Sequence, residues 1–139
     1  MKEITVIGER LNSSRKEVAR ALEQRDHSFI QREAQRQQEN GAHYLDVNAG
    51  AFPEQEVELL SWLCEKVREV SPAPLCLDTT SPKAAEASLS RFPEKALLNG
   101  LTGEKPRLEA FVPLARSYGC GVIALCLDER GLPPDAEGA

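Results

Sequence analysis

The sequence predicts an α/β fold, a parallel sheet of five βα units that form part of an eight-stranded TIM (βα)8 barrel. Three observations predict it. A short apolar run, a polar cluster and a helical stretch recur in that order five times along the 139 residues. Most of the apolar runs are continuous rather than alternating, as in parallel strands buried on both faces. Each run also ends in an acid or an amide, and the carboxyl ends of the strands are where barrels carry their chemistry.

Ile4–Ile7 predicts the first strand over 4–7, with Glu9 and Asn12 following it. Arg15–Gln24 reads as a short additional helix, and Asp26–Glu39 as a second, whose thin stripe of Phe29, Ile30 and Ala34 places it on the outside. Asn40-Gly41 marks its exit. Tyr44–Val47 predicts a strand over 43–47 that ends at Asp46 and Asn48. Glu54–Val70 is the clearest helix, with Pro53 at its start and Val57, Leu60, Leu63, Val67 and Val70 on one face. A third strand over 74–78 closes in Asp78-Thr79-Thr80, and Ser81 is a good N-cap before Pro82. The fourth strand, over 95–98, ends at Asn99. Lys105–Tyr118 is helical, with Pro106 in its first turn, Leu108, Phe111, Val112, Ala115 and Tyr118 on one face, and Gly119 at its exit. The fifth strand covers 121–127 and is followed by Asp128. An open doubly wound sheet would carry a glycine-rich phosphate loop after its first strand. Gly8-Glu9-Arg10-Leu11-Asn12 holds a single glycine, which favours the barrel.

A chain of 139 residues is one domain at most, long enough for a real core. Its 22 acidic against 17 basic residues argue against nucleic acid or an anionic membrane as partner. No apolar run approaches the roughly 18 residues of a membrane span, and no signal peptide is evident, so a cytoplasmic location is expected. The four cysteines, at 64, 76, 120 and 126, form no CxxC pair and have no histidine at ligand spacing. They read as small buried hydrophobes in a reducing compartment, with Cys76 and Cys126 inside apolar runs, and no metal site is expected. His43 reads as structural, and His27 as a solvated helix-start residue.

The rim drawn by the strand ends offers carboxylates, amides and hydroxyls, with only Arg10 and Arg130 as nearby cations. Phosphate would ask for cations and free backbone amides, so sugar-phosphate chemistry is disfavoured. Acids and amides suit a flat neutral heterocycle that presents adjacent N–H donors and a carbonyl, and a pterin ring has such an edge. For Glu9, Asn12, Asp46 and Asn48, a role in supporting loops by hydrogen bonds stands beside direct ligand contact.

Four runs, in order and spacing, carry a resemblance: Ile7-Gly8-Glu9-Arg10-Leu11-Asn12, Leu45-Asp46-Val47-Asn48-Ala49-Gly50, Leu75-Cys76-Leu77-Asp78-Thr79-Thr80 and Leu98-Asn99-Gly100. They are similar to the pterin-binding methyltransferases, that is, the methyltetrahydrofolate:corrinoid/iron–sulfur protein methyltransferases and the folate module of cobalamin-dependent methionine synthase. The helix ending Gln37-Gln38-Glu39-Asn40-Gly41-Ala42 also resembles theirs, and the likeness runs from residue 4 to about 134. It implies a dihydropteroate-synthase-like barrel in which Asp78 binds the pterin amino edge and Asn99 binds the ring, with Glu9, Asn12, Asp46 and Asn48 lining the same pocket.

The reaction implied is transfer of the N5 methyl of methyltetrahydrofolate to cob(I)amide, with the cobalamin or other corrinoid carried by a partner protein. The resemblance places the N5-activating asparagine, and a second pterin-binding aspartate, beyond residue 139, so no catalytic residue is expected within this chain. It also implies that residues 1–139 are a pterin-binding domain that lacks strands six to eight. An open barrel exposes two sheet edges, so association through them, as a homodimer or with a completing chain, is expected. A start at Met1 just before the first strand fits a stand-alone methyltransferase better than methionine synthase. The alternatives are a non-catalytic pterin-binding or assembly module and dihydropteroate synthase. The last is disfavoured because its usual Asn-x-x-Pro-Asp-Ser-Phe stretch is missing after the first strand.

Overall fold

The computed structural model of the chain describes residues 3–134. Its elements in order are β1 (Ile7–Asn12), α1 (Lys16–Glu23), α2 (His27–Glu39), β2 (Tyr44–Asn48), α3 (Glu56–Arg68), β3 (Leu75–Asp78), α4 (Pro82–Leu89), β4 (Leu97–Leu101), α5 (Lys105–Tyr118) and β5 (Gly121–Ala124). The strands form one sheet in the order β1-β2-β3-β4-β5, and every pairing is parallel. Right-handed crossovers between strands laid down in chain order put all the helices on one face. This is the winding of a barrel wall rather than of a doubly wound sheet, so the expected fold class holds for five units.

The two faces separate cleanly. Leu11, Leu45, Val47, Leu75, Leu77 and Leu98 are buried under the helices. Alternation along each strand turns Asp46, Cys76, Asp78, Leu97 and Asn99 the other way. The core between sheet and helices is completed by Leu59, Leu60, Leu63, Cys64 and Val67 of α3, Ile30 and Ala34 of α2, and Val18 and Leu22 of α1. Each fully buried aliphatic side chain contributes about 1.5–3 kcal/mol, so this layer dominates the stability. No helix among the described residues is long and apolar enough to cross a membrane.

Several local expectations shift. The first strand lies at Ile7–Asn12 rather than 4–7, and Ile4 is 82% exposed. The reason is its partner: β2 begins at Tyr44, and the Val6 N–H is capped instead by the His43 ring (Nδ1, 2.9 Å), which gives that histidine its structural role. Glu9 and Asn12 therefore belong to the strand itself. At the other end β5 stops at Ala124 rather than running to residue 127, because β4 ends at Leu101, whose carbonyl takes the last rung from Leu125 N–H (2.7 Å). Pro53 precedes α3 by a turn, so Glu56 opens the helix, facing inward, and Val57 is left 43% exposed. On α5 only Phe111 of the five expected face residues is buried, since the helix sits over the edge of the sheet. Cys126 is exposed rather than packed in an apolar strand. Ser81 and Asp26 cap α4 and α2 as their residue types suggest, accepting from Ala84 N–H (3.2 Å) and Phe29 N–H (3.0 Å).

The register of β1 against β2 shifts between Gly8 and Leu11, a bulge that takes up Glu9 and Arg10 opposite Asp46. The Arg10 N–H is taken out of the ladder there, and the buried side chain of Gln37 on α2 accepts it at 3.0 Å. Gln37 can reach in because residue 8 is glycine: a Cβ there would stand 2.5 Å from Gln37 Oε1 and 3.3 Å from the Ala42 Cβ. Gly8→Ala should therefore push Gln37 aside and leave the Arg10 N–H unsatisfied, at a cost of about 1–3 kcal/mol. Urea denaturation of Gly8→Ala and Gln37→Ala measures it, and a cost near zero for both would mean that the bulge stands without Gln37.

Candidate functional site

The six residues singled out from sequence divide into two groups that share Asp78. Asp46, Asp78 and Asn99 lie on the inner face of β2, β3 and β4, and Asp78 and Asn99 are direct partners in the β3–β4 register. The Asn99 amide Nδ2 reaches across β3 and donates to Asp46 Oδ2 at 3.0 Å. Glu9, exposed in the β1 bulge, acts on the charge of Asp46 from the neighbouring strand. The second group surrounds a cleft of about 450 Å3 among the strand-end loops, lined by Asn12, Asn48 and Asp78 together with Ser13, Glu56 and Thr79.

Asn12 and Asn48 already serve the loops. Asn12 Oδ1 accepts from Ser14 N–H (2.9 Å), while Asn48 Oδ1 accepts from the Ser13 hydroxyl (2.9 Å) and Gly50 N–H (2.8 Å). Ser13 Oγ accepts in turn from Ala51 N–H (3.0 Å), and the Ser13 N–H donates to the Asn48 carbonyl (3.0 Å). The β1–α1 and β2–α3 loops are latched together by this exchange. Behind Asp78, the Thr79 hydroxyl donates to the buried Glu56 carboxylate and accepts from Ser81 N–H (3.0 Å), which ties the β3–α4 loop to the start of α3.

Sequence reading missed Ser13 and Glu56. Glu56 looked like an ordinary acid in a helix's first turn, and only the shifted start of α3 turns it inward. Two cations expected near the rim are engaged elsewhere. Arg10 bonds Glu33 on α2 at 2.6 Å, and Arg130 clasps Asp128 at 2.7 Å. Asp128 lies in the turn Asp128–Gly131 rather than at a strand end. Among the described residues no group of three or more His, Cys, Asp or Glu could hold a metal ion.

Electrostatics single out Asp46. It is 1% exposed, Oδ2 receives Asn99, and Oδ1 finds no donor among the described residues. Burial pushes its pKa up from 3.8 to about 6; the nearby Asp78 and Glu9 carboxylates add to the rise, and the Asn99 bond opposes it. The neighbouring Cys76 thiol is pushed up as well, by burial first and then by Asp46 and Asp78, and stays protonated. The described rim is thus rich in hydrogen-bond acceptors, with Arg10 and Arg130 both paired to acids, which suits a neutral ligand rich in N–H donors.

The protein-family model described as "Pterin binding enzyme" matches residues 8–137. Over 134 residues the chain is 34% identical to the methylcorrinoid:tetrahydrofolate methyltransferase of Eubacterium limosum, covering 95% of this chain and 49% of that protein. It is 28% identical to the methionine synthase of Mycobacterium leprae (strain TN) and 27% identical to that of Mycobacterium tuberculosis, covering 92% of this chain and 11% of each. The chain therefore spans 49% of the length of the first relative and a far smaller part of the other two.

The buried carboxyl of Asp46 has a consequence for stability. A pKa raised on folding means that folding favours the neutral form, so the contribution is full below about pH 4 and is lost as pH rises through about 6. Asp46→Asn should stabilise the fold at pH 7 by on the order of 2 kcal/mol, with the gain gone by about pH 4. Denaturant unfolding at the two pH values checks this, and an equal effect at both would show that the charge is not the cause.

Proposed function

This chain belongs to the pterin-binding enzyme family, and on that premise we propose that it binds methyltetrahydrofolate at the carboxyl rim of its sheet and serves methyl transfer between that folate and a corrinoid protein. The observation that carries the reading is the pairing of Asp78 with Asn99 on adjacent strand ends, backed by Asp46. A carboxylate and an amide side by side can take the 2-amino group and N3–H of a pterin, two donors on one edge. The engagement of Arg10 and Arg130 by Glu33 and Asp128 agrees, because the ring is neutral and the charged glutamate tail of a folate would extend away from it.

Roles follow from position. Asp78 accepts N–H bonds from the ring and Asn99 binds the same edge from β4. Asn12 and Asn48 shape the cleft through the loops they hold, with Glu56 and Thr79 bracing Asp78 from behind. Glu9 borders the inner face and keeps it negative. A corrinoid on the partner would supply the nucleophile for the methyl, and the residues of this chain would hold and orient the folate that carries it. The name of the Eubacterium relative states the opposite direction, from methylcorrinoid to tetrahydrofolate. Both directions share one transition state, so the same pterin contacts serve either. Binding and orienting the ring are the tasks assigned to this chain, and activation of N5 is assigned to none of its residues. A corrinoid protein is the partner proposed, and the open edges of β1 and β5 are where a second copy or a completing chain would pair.

Calorimetric titration with methyltetrahydrofolate tests the reading. Asp78→Asn places a donor against a donor while keeping the shape. It should weaken binding by about 2–4 kcal/mol, roughly thirty- to a thousandfold, with the unfolding midpoint unchanged. Binding within about threefold of the unsubstituted chain would leave Asp78 a loop-supporting acid.

A further inference from the structure

The Asn99 amide can face Asp46 Oδ2 only through its nitrogen, because a carboxylate oxygen has no hydrogen to give. Its own oxygen is then directed away from Asp46, on the face it shares with its register partner Asp78. We propose that Asp46 is a positioning residue, whose carboxylate fixes the Asn99 amide with its oxygen toward the ligand and so makes the site read two adjacent N–H donors. This rests on the reading of the rim as a pterin site and goes beyond it, because the specificity is set by a side chain that does not touch the ring.

Three observations support this placement. Asp46 is buried too deeply to be a ligand contact of its own, its Oδ2 receives the Asn99 amide from two strands away, and its Oδ1 is unpartnered among the described residues. Among the described residues no other side-chain hydrogen bond holds the Asn99 amide, so its orientation follows the charge state of Asp46. The groups that bear on that charge are Glu9 on β1, Cys76 and Asp78 on β3, and Asn99 on β4. The first and third are acids and oppose the charge, and burial does so more strongly. Once protonated, Asp46 can itself donate to the amide oxygen, and Asn99 is then free to turn its nitrogen toward the ligand. A 2-amino-4-oxo ring, with N3–H as a donor, matches the first state. A 2,4-diamino ring, whose N3 is an acceptor, matches the second.

Two measurements test the proposal. The first needs no ligand: the Asn99 side-chain amide resonances of this chain are followed by NMR from about pH 4 to 8. An inflection near pH 6 is expected. It should vanish in Asp46→Asn and persist, displaced to lower pH, in Asp78→Asn. Flat Asn99 resonances in the unsubstituted chain would overturn the proposal. The second compares binding of 5-methyltetrahydrofolate with its 4-amino counterpart at pH 7.5. The preference for the 4-oxo compound should fall by about tenfold or more in Asp46→Asn. An unchanged preference, or an equal loss of affinity for both compounds, would also overturn it. If the unsubstituted chain binds neither compound, the pterin reading fails and the specificity claim with it, whereas a normal NMR inflection would still establish Asp46 as the residue that orients Asn99.

Discussion

Parallel pairing of five strands in chain order is the constraint on which the rest of the structure depends. It sends every crossover to one face, so one side of the sheet must be apolar and the other is released from that duty. Leu45, Val47, Leu75 and Leu77 meet the first demand. The second side can then hold Asp46, Asp78 and Asn99, residues that no helix–sheet interface would tolerate. The period of two along a strand makes the division automatic: a leucine under the helices at 77 means an acid on the other face at 78.

That division creates the electrostatic character of the site. Asp46 is far enough down β2 to lose its water, while Asp78 and Asn99 stand at the rim. Desolvation therefore falls mainly on one carboxyl, and the acids share a face without sharing an environment. With Arg10 turned to Glu33 and Arg130 to Asp128, these two guanidinium groups leave the acids of that face uncompensated.

The strand order and the pairing of Asp78 with Asn99 were legible because both follow from where apolar runs stop, a local signal. What was not legible depended on partners. The run Ile4–Ile7 reads as a strand by composition, but β2 begins at Tyr44, opposite Ile7, so only the end of the run enters the ladder, and the His43 ring caps the Val6 N–H. Val57 and Glu56 exchange roles because α3 starts after a turn that Pro53 only precedes. Arg10 was read as a rim cation because a bulge, invisible in composition, decides which way it faces. The half-covered face of α5 shows the same limit, since periodicity specifies a stripe but not whether anything lies beneath it. The family resemblance rested on motifs at strand ends, and those are the places where local and long-range signals coincide.

The latch between Asn48 and Ser13 reaches beyond geometry. Two loops that would otherwise explore many conformations are joined to each other through side chain and backbone alike, and Gly50 and Ala51 are drawn into the same exchange. The entropy of ordering them is spent during folding, so a ligand bound there, on the reading proposed above, would have little of it left to supply.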